Sequence, residues 1–213
     1  MDTGKTPNDT LYKQLAIWTF SGFGLYFRDT TLSSELQSHY KVGQYFRNGF
    51  FLDVSTRAQG IAGNTRFLII SAHTVSMSVL NPAREELKQW GAHVINANSY
   101  FKVLDIQRDD TAVQITLLHV PYKWAVLGDL NGITAKHEEL AIEKAVQLYE
   151  KLKDRVPDPI ILAREWVDRT QFAVGLTARD EFFDPAFDPN LVGLPFYKAL
   201  TTIGDDTSRL NTP

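Results

Sequence analysis

Ser71 and His73 are the residues of this sequence whose types and spacing best suit chemistry. A serine hydroxyl becomes a nucleophile when a histidine takes its proton, and an acid commonly orients that histidine. The stretch 65–79 alternates like a strand, which predicts that Ser71 and His73 point to the same face. We therefore predict a catalytic group in which Ser71 is the nucleophile, His73 or His119 the base and Asp53 the orienting acid.

Two observations weaken this hypothesis of a small-molecule hydrolase. Residues two apart in a strand are separated by about 6.6 Å, so a direct bond from Ser71 to His73 requires local bending. No G-x-S-x-G elbow surrounds Ser71. His73 and His119 share the parity of apolar neighbours, and a buried histidine that bonds a backbone group is the structural alternative. Whether the protein is an enzyme stays undecided at this point.

Other candidate motifs each lack a required residue. His137 begins a zinc-protease-like helix segment, but Ala141 stands where the second histidine ligand belongs. The triplet 4–6 ends like a phosphate-binding loop but has no strand before it. Gly22 and Gly24 follow a predicted helix, and we interpret them as its terminator rather than as a dinucleotide fingerprint. The sequence therefore predicts no bound metal and no cofactor.

An acidic run between residues 180 and 188 leaves two alternatives open. Its four carboxylates are Asp180, Glu181, Asp184 and Asp188. Oxygen ligands of this kind suit magnesium or calcium if the chain folds back on itself. Aspartate before proline is also a turn former, which accounts for two of the four acids without a cation.

Composition excludes several function classes. The 213 residues include no cysteine, which rules out disulfides, a thiolate nucleophile and thiolate ligation of metals. The net charge of −3 disfavours nucleic acid as a partner. The N-terminal stretch lacks the pattern of a signal peptide, and no apolar run approaches the roughly 20 residues that span a bilayer. We therefore expect a cytoplasmic protein without a membrane segment.

The main functional hypothesis from these observations is a soluble, non-catalytic binding or interaction domain. No motif specifies a reaction, while aromatic residues make up 12% of the chain and could line a binding surface. The expected partner is a small ligand, another protein or a second copy of the chain. The hydrolase with Ser71 is the alternative.

Periodicity predicts an α+β fold with a mostly antiparallel sheet. The predicted strands lie near residues 50–56, 65–79, 99–106 and 111–120, and the last two form a hairpin. A competing interpretation is a partly parallel sheet, in which a helix at 81–91 makes a crossover to a strand at 93–95.

Helices are predicted to pack on this sheet. Apolar spacing indicates one from Ala135 to Asp154, another opened by Asp158 and Pro159, and an early one containing Leu11, Leu15 and Trp18. A further strand is expected at 172–176. The length favours a single domain over 1–213, with an irregular segment at 184–213 that wraps the body and frays at its end.

Overall fold

The computed structural model describes residues 19, 22–120, 135–198 and 200, and these form an α+β fold. Eight strands join one sheet. Their bounds are β1 (Gly24–Thr30), β2 (Tyr45–Asn48), β3 (Leu52–Ser55), β4 (Thr65–Ser71), β5 (Val75–Ser76), β6 (Ala92–Ile95), β7 (Ser99–Arg108) and β8 (Val113–Val120).

The strand order across the sheet is β2-β7-β8-β4-β1-β3-β6-β5. Only the central pair β4 and β8 runs parallel among these strands, and every other neighbouring pair is antiparallel. The prediction of a mostly antiparallel sheet is therefore confirmed. Because β4 and β8 are parallel, their carboxyl ends lie at the same edge of the sheet. The antiparallel strand β1 begins at that edge, so its amino end lies beside the carboxyl end of β4.

Six short or medium α-helices and one 3-10 helix surround the sheet within the described residues. They are α1 (Ser34–Ser38), α2 (Met77–Leu80), α3 (Glu85–Gln89), α4 (Ala135–Leu152), the 3-10 helix (Pro159–Leu162), α5 (Arg164–Thr170) and α6 (Pro189–Val192). Ser33 caps α1 with its hydroxyl, and Asp158 caps the 3-10 helix with its carboxylate, as expected for these residue types.

The central strands β4 and β8 are buried along their whole length, so each face of the sheet carries its own apolar core. Ile70 and Leu118 face α4 through Ala141, and we call this side the helix face. Ile69 and Leu117 belong to the opposite core and define what we call the inner face. The inner face is closed by aromatic side chains from outside the central strands, Tyr40, Phe46 and Phe182.

Several predicted strands differ from the structure. The stretch predicted at 65–79 is a strand only to Ser71, and its end forms β5 and then α2. Two strands, β1 and β2, were not predicted, because they carry few alternating apolar residues, and β6 was expected only in the crossover interpretation, as a strand at 93–95. The segment 172–176 is not a strand, although Leu176 makes an isolated bridge to Phe182.

The 99–120 hairpin and the helix starting at Ala135 are confirmed. The crossover interpretation is wrong, because β6 pairs antiparallel with β3 and β5 and not parallel with β4. The early helix around Leu11 and the last residues, 201–213, lie outside the described part of the chain, and the single domain stays a prediction. None of the helices in the described ranges is long and apolar enough to cross a membrane.

Candidate functional site

Ser71 and His119 form a hydrogen-bonded pair at the edge where β4 and β8 end. Ser71 Oγ lies 2.8 Å from His119 Nδ1 and also accepts the backbone N–H of His73 at 3.0 Å. In the His119 tautomer that carries its hydrogen on Nε2, the Ser71 hydroxyl donates to Nδ1. The side chain of Ser71 is 1% exposed and that of His119 is 7% exposed, so the pair is closed off from solvent.

The environment of His119 keeps its imidazole neutral. Burial, together with the charge of the neighbouring His73, lowers the pKa of His119 to about 3. The two imidazole rings stand nearly perpendicular with their centroids 6.3 Å apart. A neutral His119 can therefore accept the Ser71 hydrogen bond throughout the physiological pH range.

Asp53 does not join Ser71, so the predicted group of four residues is not assembled. Asp53 lies on β3, where its Oδ2 is 2.9 Å from Nε of Arg169 on α5. Burial raises the pKa of Asp53, and the charges of Arg169 and Arg28 oppose this rise. His73 lies beyond the end of β4, and its backbone N–H donates to Ser71 Oγ.

Arg28 is a buried cation that contacts the backbone of Asp53. It lies on β1 and is 4% exposed, and Nη1 donates to the carbonyl of Asp53 at 2.8 Å. Its terminal nitrogens also donate to the carbonyls of Arg169 and Phe172 at 3.2 and 3.1 Å. Burial lowers the pKa of Arg28 to about 10, although Asp53 and Tyr40 favour the charged form. Arg28 therefore ties β1 to the chain that leaves α5.

A second hydroxyl–imidazole group lies on the inner face beside Ser71. Thr74 Oγ1 donates to Tyr26 Oη at 2.7 Å and lies 3.0 Å from His93 Nδ1. The rings of Tyr26 and His93 also pack together, with centroids 5.2 Å apart. These three side chains come from β1, the β4–β5 connection and β6, so only the folded sheet brings them together. We call Tyr26, Thr74 and His93 the relay cluster.

The hydrogen bonds of the relay cluster define the protonation of His93. In the arrangement in which the single Thr74 hydroxyl hydrogen is donated to Tyr26, the Nδ1 hydrogen of His93 is the donor to Thr74 Oγ1. In the neutral ring Nε2 then keeps its lone pair. Burial lowers the pKa of His93, so the neutral form is favoured at physiological pH. This arrangement suits a general base whose second nitrogen is held by a fixed partner.

The relay cluster is accessible from solvent, unlike the Ser71–His119 pair. Tyr26, Thr74 and His93 are each half-buried, as is His73 beside them. A cavity of about 290 Å³ lies on the opposite, helix face of the same edge and is mainly apolar in its lining, which includes Leu25 and Ile70. Because the sheet separates that cavity from His93, the cavity is not the place where the relay cluster could meet a substrate.

The acidic run forms turns in the structure. Asp184 Oδ1 accepts the backbone N–H of Ala186 at 2.7 Å, and Asp188 Oδ1 accepts that of Asn190 at 2.9 Å. Within the described ranges, no three histidine, aspartate or glutamate side chains are grouped as metal ligands. The turn alternative therefore accounts for Asp184 and Asp188.

Sequence reasoning missed the relay cluster for an identifiable reason. The sequence predicts Thr74 in a continuous strand and Tyr26 in the region after a helix, so it predicts no contact between these two residues. The short Ala92–Ile95 strand offers only four residues of periodicity, too few to place His93 on a sheet. One feature of the sequence could have indicated this site, namely Gly24, two residues before Tyr26. Gly24 begins β1 instead of ending a helix, and a glycine in a strand often marks a place where another group comes close to the backbone.

Comparison with known proteins gives structural matches only. No family model matches the chain, and no curated protein matches it. A type III effector, XopAI from Xanthomonas axonopodis pv. citri, matches with TM-score 0.40 and 14% identity over 46% of this chain and 44% of its own. Exoenzyme S from Pseudomonas aeruginosa, solved with human 14-3-3 protein beta and carba-NAD, matches with TM-score 0.38 and 17% identity over 58% of each chain. The ADP-ribosyltransferase HopU1 of Pseudomonas syringae pv. Tomato matches with TM-score 0.39 and 11% identity over 46% of this chain and 45% of its own.

These matches correct the main functional hypothesis. The expectation of a non-catalytic binding domain is wrong by this comparison, because several of the matched proteins are ADP-ribosyltransferases. The hydrolase alternative is also dropped, because Ser71 is sealed from solvent and Asp53 is paired elsewhere. The matched region spans about half of the matched chains, and the TM-scores lie below 0.5. The roles of individual residues are therefore argued from the geometry of this chain alone.

Proposed function

We propose that the chain is an enzyme in which His93 acts as a general base, oriented by Thr74 and Tyr26. The observation that carries this proposal is the hydrogen-bonded chain of 3.0 and 2.7 Å that joins the three side chains. A base is effective when its proton-accepting nitrogen is held in one orientation and is unprotonated at the working pH. The tautomer argued above and the burial of His93 meet both conditions.

The Ser71–His119 pair holds the β4–β5 connection, which carries Thr74. Ser71 bonds the backbone of His73, and His73 directly precedes Thr74 in the chain. We assign Ser71 and His119 to positioning, because both are enclosed and neither can meet a substrate in this conformation. His73, which is half-buried, is the member of the originally predicted group that a substrate could touch.

The reaction to test first is transfer of ADP-ribose from NAD, because several of the matched proteins are ADP-ribosyltransferases. In such a transfer the bond between nicotinamide N1 and ribose C1′ breaks, and nicotinamide leaves as a neutral molecule. A nucleophile forms the new bond to C1′ and gives up its proton. His93 Nε2 would receive that proton, so the reaction balances without any additional reactant.

A cation would stabilise the diphosphate of a dinucleotide, and Arg28 is the buried cation on β1 near the relay cluster. Arg28 lies on β1, two residues beyond Tyr26, and guanidinium groups bind phosphates in pairs of hydrogen bonds. Its terminal nitrogens are occupied by carbonyls, two of which belong to the segment 169–172. We therefore expect this segment to move when a dinucleotide binds. Faster backbone hydrogen exchange in 169–172 after NAD addition is the measurement.

The activity test uses the full chain with NAD and follows nicotinamide release by chromatography, first with water and then with candidate protein acceptors. We expect His93→Gln to lower the rate by roughly 10²- to 10⁴-fold, the usual range for loss of a general base. The matched control is His39→Gln, since His39 is a half-buried histidine in the turn after α1. Full activity in His93→Gln, or no release by the unmodified chain, would contradict the proposal.

A protein partner is also to be tested, because Exoenzyme S was solved in complex with a human protein. Cytoplasmic location and self-association stay predictions. Light scattering of the purified chain checks self-association directly, and a monomer at high concentration would exclude it.

A further inference from the structure

Gly24 occupies a position where a side chain would displace the relay cluster. A Cβ atom added to Gly24 would lie 2.8 Å from Tyr26 Oη and 2.9 Å from Tyr26 Cε2. Real Cβ atoms do not approach other atoms this closely, so one of the two groups would have to shift. The phenol ring of Tyr26 thus lies directly over the bare backbone of Gly24.

The backbone itself does not require glycine at this position. Gly24 is not among the residues with positive φ, so alanine can adopt the same conformation without strain. Gly24 pairs with Ser71 in the sheet through regular backbone contacts that a methyl group would not remove. The space taken by the Tyr26 ring is therefore the structural reason for glycine at position 24.

Tyr26 is the group that would yield to a side chain at position 24. Its ring is the far end of a half-buried side chain, whereas the Gly24 backbone is held in the β1–β4 ladder. A displaced ring loses the 2.7 Å bond from Thr74 and its packing on His93. Without these contacts, Thr74 and the imidazole of His93 are no longer held in one orientation.

We infer that Gly24 is a positioning residue of the site: by leaving space for the Tyr26 ring, it holds the Tyr26–Thr74–His93 chain in place. This inference rests on the proposed function for its kinetic consequence, although its structural consequence can be measured without any activity. A displacement of about 1 Å in a catalytic group can cost on the order of 100-fold in rate. We expect a loss of this size in Gly24→Ala.

The decisive measurement is the titration of His93 by NMR in the full chain. In Gly24→Ala we expect the pKa of His93 to rise from its lowered position toward the usual histidine value, because the displaced ring exposes the imidazole to water. The control is Gly193→Ala, where the added Cβ would meet only Asn190 O at an ordinary 3.6 Å. Gly193→Ala should leave the titration unchanged.

A double variant separates positioning from a general loss of stability. Tyr26→Ala removes the ring, so adding Gly24→Ala should then change neither the His93 titration nor the rate any further. An unchanged His93 titration in Gly24→Ala would overturn the inference. Additive effects in the double variant would also overturn the inference, because they would mean that Gly24→Ala acts through something other than its contact with Tyr26. If the unmodified chain releases no nicotinamide but the His93 titration moves as expected, the proposed function fails and the positioning role stands.

Discussion

The buried imidazole of His119 should make the protein lose stability as the pH falls from 8 to 5. In the folded state its pKa lies near 3, whereas in the unfolded chain it returns to about 6.5. Below pH 6.5 the unfolded state binds a proton that the folded state does not. The stability that the neutral imidazole contributes is complete above pH 6.5 and is lost as the pH falls toward 3.

The size of this effect follows from the two pKa values. At pH 5 the unfolded imidazole is almost fully protonated and the folded one is almost fully neutral. The free energy of unfolding should therefore be about 2 kcal/mol lower at pH 5 than at pH 8 through His119 alone. The burial of His119 to 7% exposure justifies using the shift without a large discount for solvent screening.

The assay is urea unfolding at both pH values, for the unmodified chain and for His119→Asn. The asparagine amide oxygen can accept the Ser71 hydroxyl in place of Nδ1 but does not titrate. We expect the stability difference between pH 8 and pH 5 to shrink by about 2 kcal/mol in this variant. His39→Asn controls for loss of a histidine elsewhere. An equal pH dependence in the unmodified chain and His119→Asn would refute the reasoning.

Three substitutions test the contacts that hold the site, each by urea unfolding at pH 7. Ser71→Ala leaves a buried donor and a buried acceptor without their partner, so it should cost about 1–3 kcal/mol; a neutral result would show that both groups find other partners. Tyr40→Phe removes the buried 2.6 Å bond to the Val174 carbonyl and should cost about 1 kcal/mol, with a stability gain as the contrary outcome. Arg28→Met strands three carbonyls and should cost about 3 kcal/mol or more, whereas a loss below about 1 kcal/mol would mean that the 169–172 segment is not held by Arg28.

Local periodicity was sufficient for the elements that lie in the middle of the chain. The strand Leu52–Ser55, the 99–120 hairpin and the helix Ala135–Leu152 each carry a repeat of two or of about 3.6 residues. Such repeats arise because one side of each element faces a core, and that side is visible in the order of residues. The mostly antiparallel α+β character follows from these elements.

The sequence did not predict β1, and it predicted the strand at 93–95 only with the wrong pairing, so Tyr26 and His93 were not recognised as neighbours. Gly24 looks like a helix terminator when read alone, whereas in the sheet it provides space for Tyr26. The Ser71–His119 contact was within reach of the sequence, since both residues were named as candidates. Their pairing still required β4 and β8 to be parallel neighbours, which no local pattern specifies.

The sequence by itself determined the absence of thiol chemistry, the fold class and most of the central strands, since composition and alternation are properties of neighbouring residues. Only the tertiary structure decided that Thr74 meets Tyr26 and His93, and that Asp53 meets Arg169 instead of a histidine. The physical reason is that hydrogen bonds act over about 3 Å, while their partners here lie 19 to 116 positions apart in the chain.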